Sequence, residues 1–389
     1  MTADILLVTE LFPPAVGGSA ALFANVYGRM PAVKVTVLAD PVASYSSVPL
    51  AGLPRKWVRI ESRKRGALSL GEVRAIWRVA RAIRSHTRHN PRIFVHAARP
   101  LPEGLPTLVS RFLPLRSAHY VCWAHGEDLS AALTSREHAW LARRVCRNAS
   151  TMIANSKFTA GLIGSLGVPA HRVRTVYPGV DVDRFRPDID ATAARVQCAS
   201  SDGPVLLSVG RLQRRKGHDL VIEAIALLKG EFPGLQYLIA GDGQGRARLE
   251  DLARTRAVQQ HVRFLGGVSD DQLPSLYAAC DIFLMPTRQD ASDVEGFGIV
   301  FLEAAATGKP SIGGRNGGVP EAVSDGETGL LVEGTNSGEL ANAIRTLARS
   351  PTLRATMGAA GRRRVVQSFT WERAAQEVEA LHRELTLET

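Results

Sequence analysis

Arg211 and Lys216 stand five residues apart in Gly210-Arg211-Leu212-Gln213-Arg214-Arg215-Lys216-Gly217, directly after the apolar run 205–209. Two cations at a strand end can converge on a diphosphate, Arg by its planar fork and Lys as a point charge. A solvated basic loop is the competing reading. The location favours binding, because open α/β sheets hold ligands at the carboxyl ends of their strands. A pair of acids eight residues apart lies in Glu295-Gly296-Phe297-Gly298-Ile299-Val300-Phe301-Leu302-Glu303. Gly296 and Gly298 leave backbone amides accessible before a helix expected to begin near Ile299. Glu295 then sits on the loop and Glu303 about one turn into the helix, an arrangement able to hold sugar hydroxyls with the first acid and a ribose with the second. An acid that only favours the helix dipole, at roughly 0.3–1 kcal/mol, would account for Glu295 and leave both glycines unexplained.

Two further stretches are open to two readings each. Gly17-Gly18, after the first strand and before a helix, lets backbone N–H groups approach an anion at a positive helix end, or serves a tight turn that needs positive φ. The pattern is not G-x-G-x-x-G and no acid is spaced to take a ribose, which disfavours a nicotinamide site. His125 ends a strand beside Gly126, Glu127 and Asp128, where it either contacts substrate or is structural. Further ligands for a metal cannot be placed around it, so no metal is expected.

The elements that position these residues alternate along almost the whole chain. Strands are expected at 5–9, 33–39, 92–96, 119–123, 151–154 and 174–177, then at 205–209, 236–240, 262–265, 282–285, 310–313 and 329–332. Amphipathic helices fall between them, among them 70–89, 219–229 and 247–256. Val, Ile and Leu-rich strands alternating with helices predict an α/β fold with parallel sheets covered on both faces. Twelve strands divide most naturally into two sheets of about six. The boundary is expected at 186–203, which holds Pro187, two aspartates and a Ser-Ser-Asp-Gly run. The predicted division is therefore 1–190, 204–368 and a last helix within 369–389.

Composition narrows the function classes. The 389 residues are 45% hydrophobic and 22% charged, as in a soluble globular protein. No run reaches the ~18 apolar residues of a membrane span. The beginning lacks the basic and apolar regions of a secretory signal, so export is not expected. Cys122, Cys146, Cys198 and Cys280 are scattered, which fits reduced thiols better than disulfides or a zinc site. The net charge of +11 is unevenly placed: residues 1–150 hold 21 Lys+Arg and 9 Asp+Glu, the remainder 27 and 28. Arg74, Arg78, Arg81 and Arg88 stripe the 70–89 helix beside Val73, Ile76, Trp77, Ala80 and Ile83, with Arg84 between the two sets. Arg55-Lys56-Trp57 and Arg63-Lys64-Arg65 precede them. Such a face can rest on anionic lipid headgroups, at about 1 kcal/mol per cation near the surface. A solvated helix face is the plain alternative. Nucleic acid finds no reader motif.

Taken in order, these motifs resemble a family 4 retaining glycosyltransferase of the GT-B fold, over about Asp4 to Glu384. The resemblance is carried by Gly17-Gly18, Ile153-Ala154-Asn155-Ser156, Tyr177-Pro178-Gly179-Val180-Asp181, Gly210-Arg211 with Lys216-Gly217, Phe264-Leu265-Gly266, Ala279-Cys280-Asp281-Ile282-Phe283-Leu284-Met285-Pro286 and Glu-x7-Glu. Asp293-Val294-Glu295-Gly296-Phe297-Gly298-Ile299-Val300 is most similar to phosphatidylinositol mannoside and related GDP-mannose enzymes. The resemblance implies two Rossmann-like domains facing across a cleft, an acceptor-binding domain at 1–190 and a nucleotide-sugar-binding one at 204–368, with the last helix returning to the first. It implies that Arg211, Lys216 and the Gly18 backbone meet the donor diphosphate. Glu295 and the Phe297, Gly298 and Ile299 backbone would hold the sugar, Glu303 the ribose, Val268 the base through backbone, and His125 the sugar or acceptor. The loop 287–292 departs from the family pattern beside the sugar pocket. The expected activity is transfer of a hexose, foremost mannose from GDP-mannose, to a lipid-linked or polyprenyl-linked glycan acceptor, by a cytoplasmic enzyme peripheral on the inner face of the plasma membrane. The alternatives are a UDP-sugar-dependent family 4 enzyme of cell-surface polysaccharide synthesis and a non-catalytic nucleotide-binding module.

Overall fold

Runs of Val, Ile and Leu buried on both faces are what a parallel sheet demands, and the chain forms two such sheets. The computed structural model describes residues 3–387 apart from 14, 16, 41–52, 61–68, 89, 91–92, 114–118 and 199–202. It divides into two units, Met1–Pro178 with Trp371–Thr389, and Gly179–Thr370. The first unit carries β1 (Ile5–Thr9), β2 (Val35–Ala39), β3 (Arg55–Trp57), β4 (Phe94–Ala97), β5 (Tyr120–Ala124), β6 (Thr151–Ala154) and β7 (Val173–Thr175), in the spatial order β3-β2-β1-β4-β5-β6-β7. The second carries β8 (Val205–Val209), β9 (Gln236–Ala240), β10 (Val262–Gly266), β11 (Ile282–Met285), β12 (Ser311–Gly314) and β13 (Gly329–Val332), in the order β10-β9-β8-β11-β12-β13. All named pairings are parallel. Strand order reverses at β1/β4 and at β8/β11, which makes these two strand ends the switch points where such sheets bind ligands.

The sheets differ from the expected six and six by one strand. β3 is the extra one, and Arg55-Lys56-Trp57 reads as a loop because an edge strand pairs on one side and tolerates charge. Residues 179–190, expected in the first domain, belong to the second unit. The cause is local: the Arg362 guanidinium donates to the carbonyls of Val182, Phe185 and Ala306 at 2.8–2.9 Å, and the Phe185 ring meets Tyr277 edge-on. The expected linker also contains the helix Thr192–Cys198, whose Arg195 reaches Asp281 at 3.0 Å.

The helix Leu70–Thr87 packs with only part of its apolar side. It buries Val79, Ala80, Ile83 and Thr87, while Leu70, Val73 and Trp77 lie exposed beside exposed Arg74, Arg78 and Arg81. Its apolar residues therefore point two ways, because the buried stripe begins only in the third turn. Arg63-Lys64-Arg65 lies outside the described residues. Among the described residues no helix is long and apolar enough to cross a membrane.

The last helix, Trp371–Leu387, belongs to the first unit and buries Ala374, Val378, Leu381 and Leu385 at helical spacing. Arg29–Glu372 and Arg174–Glu384 pairs flank it at 2.7 and 3.0 Å. His382 donates from Nε2 to the Ala3 carbonyl at 2.7 Å, and its ring lies 5.5 Å from that of His96. Trp123 donates to the Tyr27 hydroxyl, which in turn shares a hydrogen bond with His96 Nδ1 at 2.8 Å. Burial lowers the pKa of both, and His382 further disfavours charge on His96. Groups with depressed histidine pKa stabilise the fold above their unfolded value of about 6.5 and lose that contribution as pH falls below it. The melting temperature is therefore expected to fall from pH 7.5 to 5, with a shallower fall in His382→Gln. Parallel melting curves for the two proteins would remove these histidines from the account.

Candidate active site

The chain leaves β8 through Gly210 at φ +150° and is tied to the next loop by Leu212 N–H to the Asp242 carbonyl at 3.0 Å. It then makes the tight turn Arg214–Lys216 and reaches Gly217 at φ +77°. A β-carbon on Gly217 would lie 2.2 Å from the Pro286 carbonyl oxygen, so only glycine lets this turn press against the end of β11. That close approach sets the charged groups together. Lys216 Nζ is 2.5 Å from Glu295 Oε2, and Arg215 Nη1 is 2.6 Å from the same oxygen. Arg215 Nε also meets Asp293 Oδ1 at 2.8 Å. Burial alone would raise the Glu295 pKa, but Lys216 and Arg215 outweigh it and hold the carboxyl below its ordinary value. Arg211, from the same turn, is exposed.

The loop between β11 and the helix Ile299–Ala306 is fastened along its length. Arg288 N–H donates to the Arg215 carbonyl at 2.9 Å, and its guanidinium meets Asp219 at 2.7 Å. Asp290 and Asp293 exchange backbone hydrogen bonds around Ala291 at φ +54°. The departing segment 287–292 is thus a closed turn braced on the turn that follows β8. Gly318 N–H donates to the Glu295 carbonyl at 3.0 Å. Gly298, at φ +93°, precedes Ile299 at the helix start, where a β-carbon would lie 2.7 Å from Phe301. The Phe297 side chain is buried, its ring 5.9 Å from that of Phe369. Glu303 Oε2 accepts from the Tyr277 hydroxyl at 2.6 Å. Burial raises its pKa, against the opposing pull of Tyr277 and Arg184. Val268 is half-buried on the loop after β10.

At the switch point of the first unit, Gly17 holds φ +147° ahead of the helix Gly18–Gly28. Phe23 of that helix lies edge-on to His125, which in turn stacks parallel on Trp123. His125 Nε2 donates to the Ala98 carbonyl at 3.1 Å, which leaves Nδ1 as the lone-pair nitrogen. Burial, helped by Arg99, pushes its pKa down to about 4. Arg99 itself bridges Glu10 at 2.6 Å and buried Glu103 at 2.8 Å. Among the described residues no group of three or more His, Cys, Asp or Glu is placed to hold a metal ion.

Lys216 and Glu295 are thus brought together, while Glu303 makes its contact with Tyr277 instead. Sequence reasoning missed Arg215, Asp293, Tyr277 and Arg99. Arg215 lies within a basic run, and nothing in a run shows which of its cations turns inward. Asn316-Gly317-Gly318, just after β12, carries the same paired-glycine signal as Gly17-Gly18.

Residues 191–364 match the model for glycosyl transferases group 1, and residues 16–184 that for glycosyltransferase family 4. The GDP-mannose-dependent alpha-(1-6)-phosphatidylinositol monomannoside mannosyltransferase of Mycolicibacterium smegmatis is 33% identical over 374 residues, covering 94% of this chain and 95% of the relative. The chain belongs to glycosyltransferase family 4. This family 4 glycosyltransferase is also 35% identical to the D-inositol 3-phosphate glycosyltransferase of Streptomyces scabiei, over 60% of its length and 53% of the relative's. Its fold is GT-B. HepE of Anabaena, solved with UDP and glucose, superposes with a TM-score of 0.81 at 22% identity over 97% of this chain and 99% of HepE.

Gly317 offers a local check on how Glu295 is held. It adopts φ +58°, and a β-carbon there would lie 2.1 Å from the Glu295 carbonyl oxygen. Gly326 adopts φ +76° with nothing within 4 Å of the same position. Gly326→Ala is expected to lose about 1–3 kcal/mol in urea denaturation from backbone strain, and Gly317→Ala more, because its β-carbon also overlaps a backbone oxygen. Only Gly317→Ala is expected also to lose most glycosyl transfer, measured as nucleotide release; equal activity in the two variants would contradict the support given to Glu295.

Proposed function

We propose that this enzyme transfers mannose from GDP-mannose, with retention, to a lipid-linked or polyprenyl-linked glycan acceptor. The observation that carries this reading is the match, along nearly the whole of both chains, to an enzyme named for GDP-mannose and a phosphatidylinositol mannoside acceptor. In the proposed reaction the bond from the sugar's anomeric carbon to the diphosphate breaks and its electron pair leaves with GDP. The acceptor hydroxyl attacks from the same face and gives its proton to the departing phosphate oxygen. Negative charge grows on that phosphate, so Lys216, Arg211 and the Gly18 amide act most strongly in the transition state. Glu295 accepts hydrogen bonds from the sugar, Glu303 binds the ribose, the backbone of Phe297, Gly298 and Ile299 lines the sugar site, and Val268 meets the base through backbone. His125, neutral at pH 7, serves the sugar or acceptor by its Nδ1 lone pair. Glu295 is not assigned as a nucleophile, and the two-carboxylate scheme of glycosidases is not invoked.

The acceptor side would work at an anionic membrane, on the inner face of the plasma membrane. Support comes from the charge excess of residues 1–150 and from Leu70, Val73 and Trp77 exposed beside Arg74, Arg78 and Arg81.

GDP-mannose is expected to raise the melting temperature in a panel with UDP-glucose, UDP-GlcNAc and ADP-glucose, since a ligand at 100 times its Kd adds about 2.7 kcal/mol to the folded state. A shift with a UDP-sugar and none with GDP-mannose would replace the donor assignment. Lys216→Ala should reduce turnover by about 10²–10³-fold while remaining folded; turnover near wild type would refute its phosphate role. Vesicles rich in anionic lipid should float the protein at low salt and release it at high salt. Loss of flotation is expected in Trp77→Ser/Arg78→Ser, and no flotation of the wild type would withdraw the membrane surface.

A further inference from the structure

Two cations converge on one oxygen of Glu295, and they differ in the shape and reach of their side chains. Arg215 is 3% exposed, and its guanidinium is divided between Asp293 and Glu295 at 2.8 and 2.6 Å. Its backbone carbonyl is fixed by Arg288 N–H, and Arg288 is fixed in turn by Asp219. Lys216 ends in a point charge on a flexible four-carbon stem and meets Glu295 through Nζ at 2.5 Å. The donor reading above asks Lys216 to meet a diphosphate, and it asks Glu295, 12% exposed, to stay in place for the sugar. A buried carboxylate stripped of its partner is costly and takes a proton.

We propose that Arg215 is the positioning residue of the donor site, holding Glu295 when Lys216 leaves it for the diphosphate. The inference rests on the donor reading and deepens it. Before donor arrives, Glu295 and Asp293 balance Arg215 and Lys216. When the diphosphate draws Lys216 away, Arg215 stays, because its fork is bound to two carboxylates on one braced loop. Glu295 then keeps a counterion and accepts hydrogen bonds from the sugar with its remaining lone pairs. Without Arg215, Lys216 is the remaining cation of the cluster, and donor binding competes with the ion pair it must break. Asp293 keeps the guanidinium from following Lys216.

Arg215→Gln is the direct test, with Arg215→Lys as the conservative partner. In Arg215→Gln the donor KM is expected to rise about tenfold or more, and the acid limb of kcat/KM should move upward by about one pH unit as Glu295 becomes easier to protonate. Arg215→Lys keeps the charge and loses the fork. It should retain the wild-type acid limb and raise the donor KM only a few-fold. A lower melting temperature in Arg215→Gln with unchanged donor KM and acid limb would overturn the proposal and leave Arg215 a structural residue. If Arg215→Gln does not fold, a wild-type donor KM in Arg215→Lys overturns it equally. The Glu295 carboxyl is also titrated directly by NMR of glutamate-labelled protein, assigned with Glu295→Gln. If the wild type binds no nucleotide sugar, the donor reading falls. The carboxyl titration still decides the positioning role: a raised midpoint in Arg215→Gln supports it, and an unchanged one overturns it.

Discussion

A carboxylate withdrawn from water stays charged only if it is given a counterion, and the second unit is organised around meeting that demand for Glu295. The cation turn after β8 can reach Glu295 only because Gly217 lets the chain press on the end of β11. The loop from β11 stays against that turn because Arg288 ties it at both backbone and side chain. Gly317 and Gly318 then let the turn after β12 close on the Glu295 and Gly296 carbonyls. Each of these contacts joins loops that leave neighbouring strand ends. The sheet order, with β8 beside β11, is therefore what makes the ion cluster possible.

The first unit meets the same constraint with different residues. Arg99, after β4, joins Glu10, after β1, to buried Glu103, just as Arg215 joins Asp293 and Glu295. In each sheet an arginine shared between two carboxylates lies at the point where strand order reverses. The fork geometry of arginine suits this use, since one guanidinium satisfies two anions at fixed directions. The surroundings differ in what they leave available. In the second unit the cluster includes a lysine on a flexible stem. In the first, a neighbouring ionisable group is His125, kept neutral by burial and by Arg99.

Elements with strong periodicity were legible from sequence: β1, β6, β8, β9, β11 and β13 begin and end where the apolar runs do. The Arg211, Lys216 and Glu-x7-Glu residues were legible because their types and offsets carry chemistry on one stretch of chain. What escaped notice was pairwise and long-range. Arg215 and Glu295 are 80 residues apart, and a basic run looks the same whether its middle residue faces solvent or a carboxylate. Tyr277 was part of an apolar helix until Glu303 was placed opposite its hydroxyl. The short edge strand Arg55–Trp57 carried charge where a strand pattern asks for apolar residues. The helix Leu70–Thr87 showed its periodicity, yet which apolar positions faced inward depended on where the sheet began to cover it.

The charge asymmetry gains meaning from the same division. Many cations of the second unit are engaged within it: Arg215, Lys216, Arg288 and Arg345 pair with acids, and Lys229, Lys309, Arg362 and Arg364 donate to backbone carbonyls. The first unit exposes arginines beside Leu70, Val73 and Trp77. The most direct measurement of the central claim is a crystal structure of the enzyme with intact GDP-mannose. Lys216 Nζ is expected on the diphosphate, Glu295 on sugar hydroxyls, and Arg215 still paired with Glu295 and Asp293. Lys216 remaining on Glu295, with the diphosphate bound elsewhere, would contradict it.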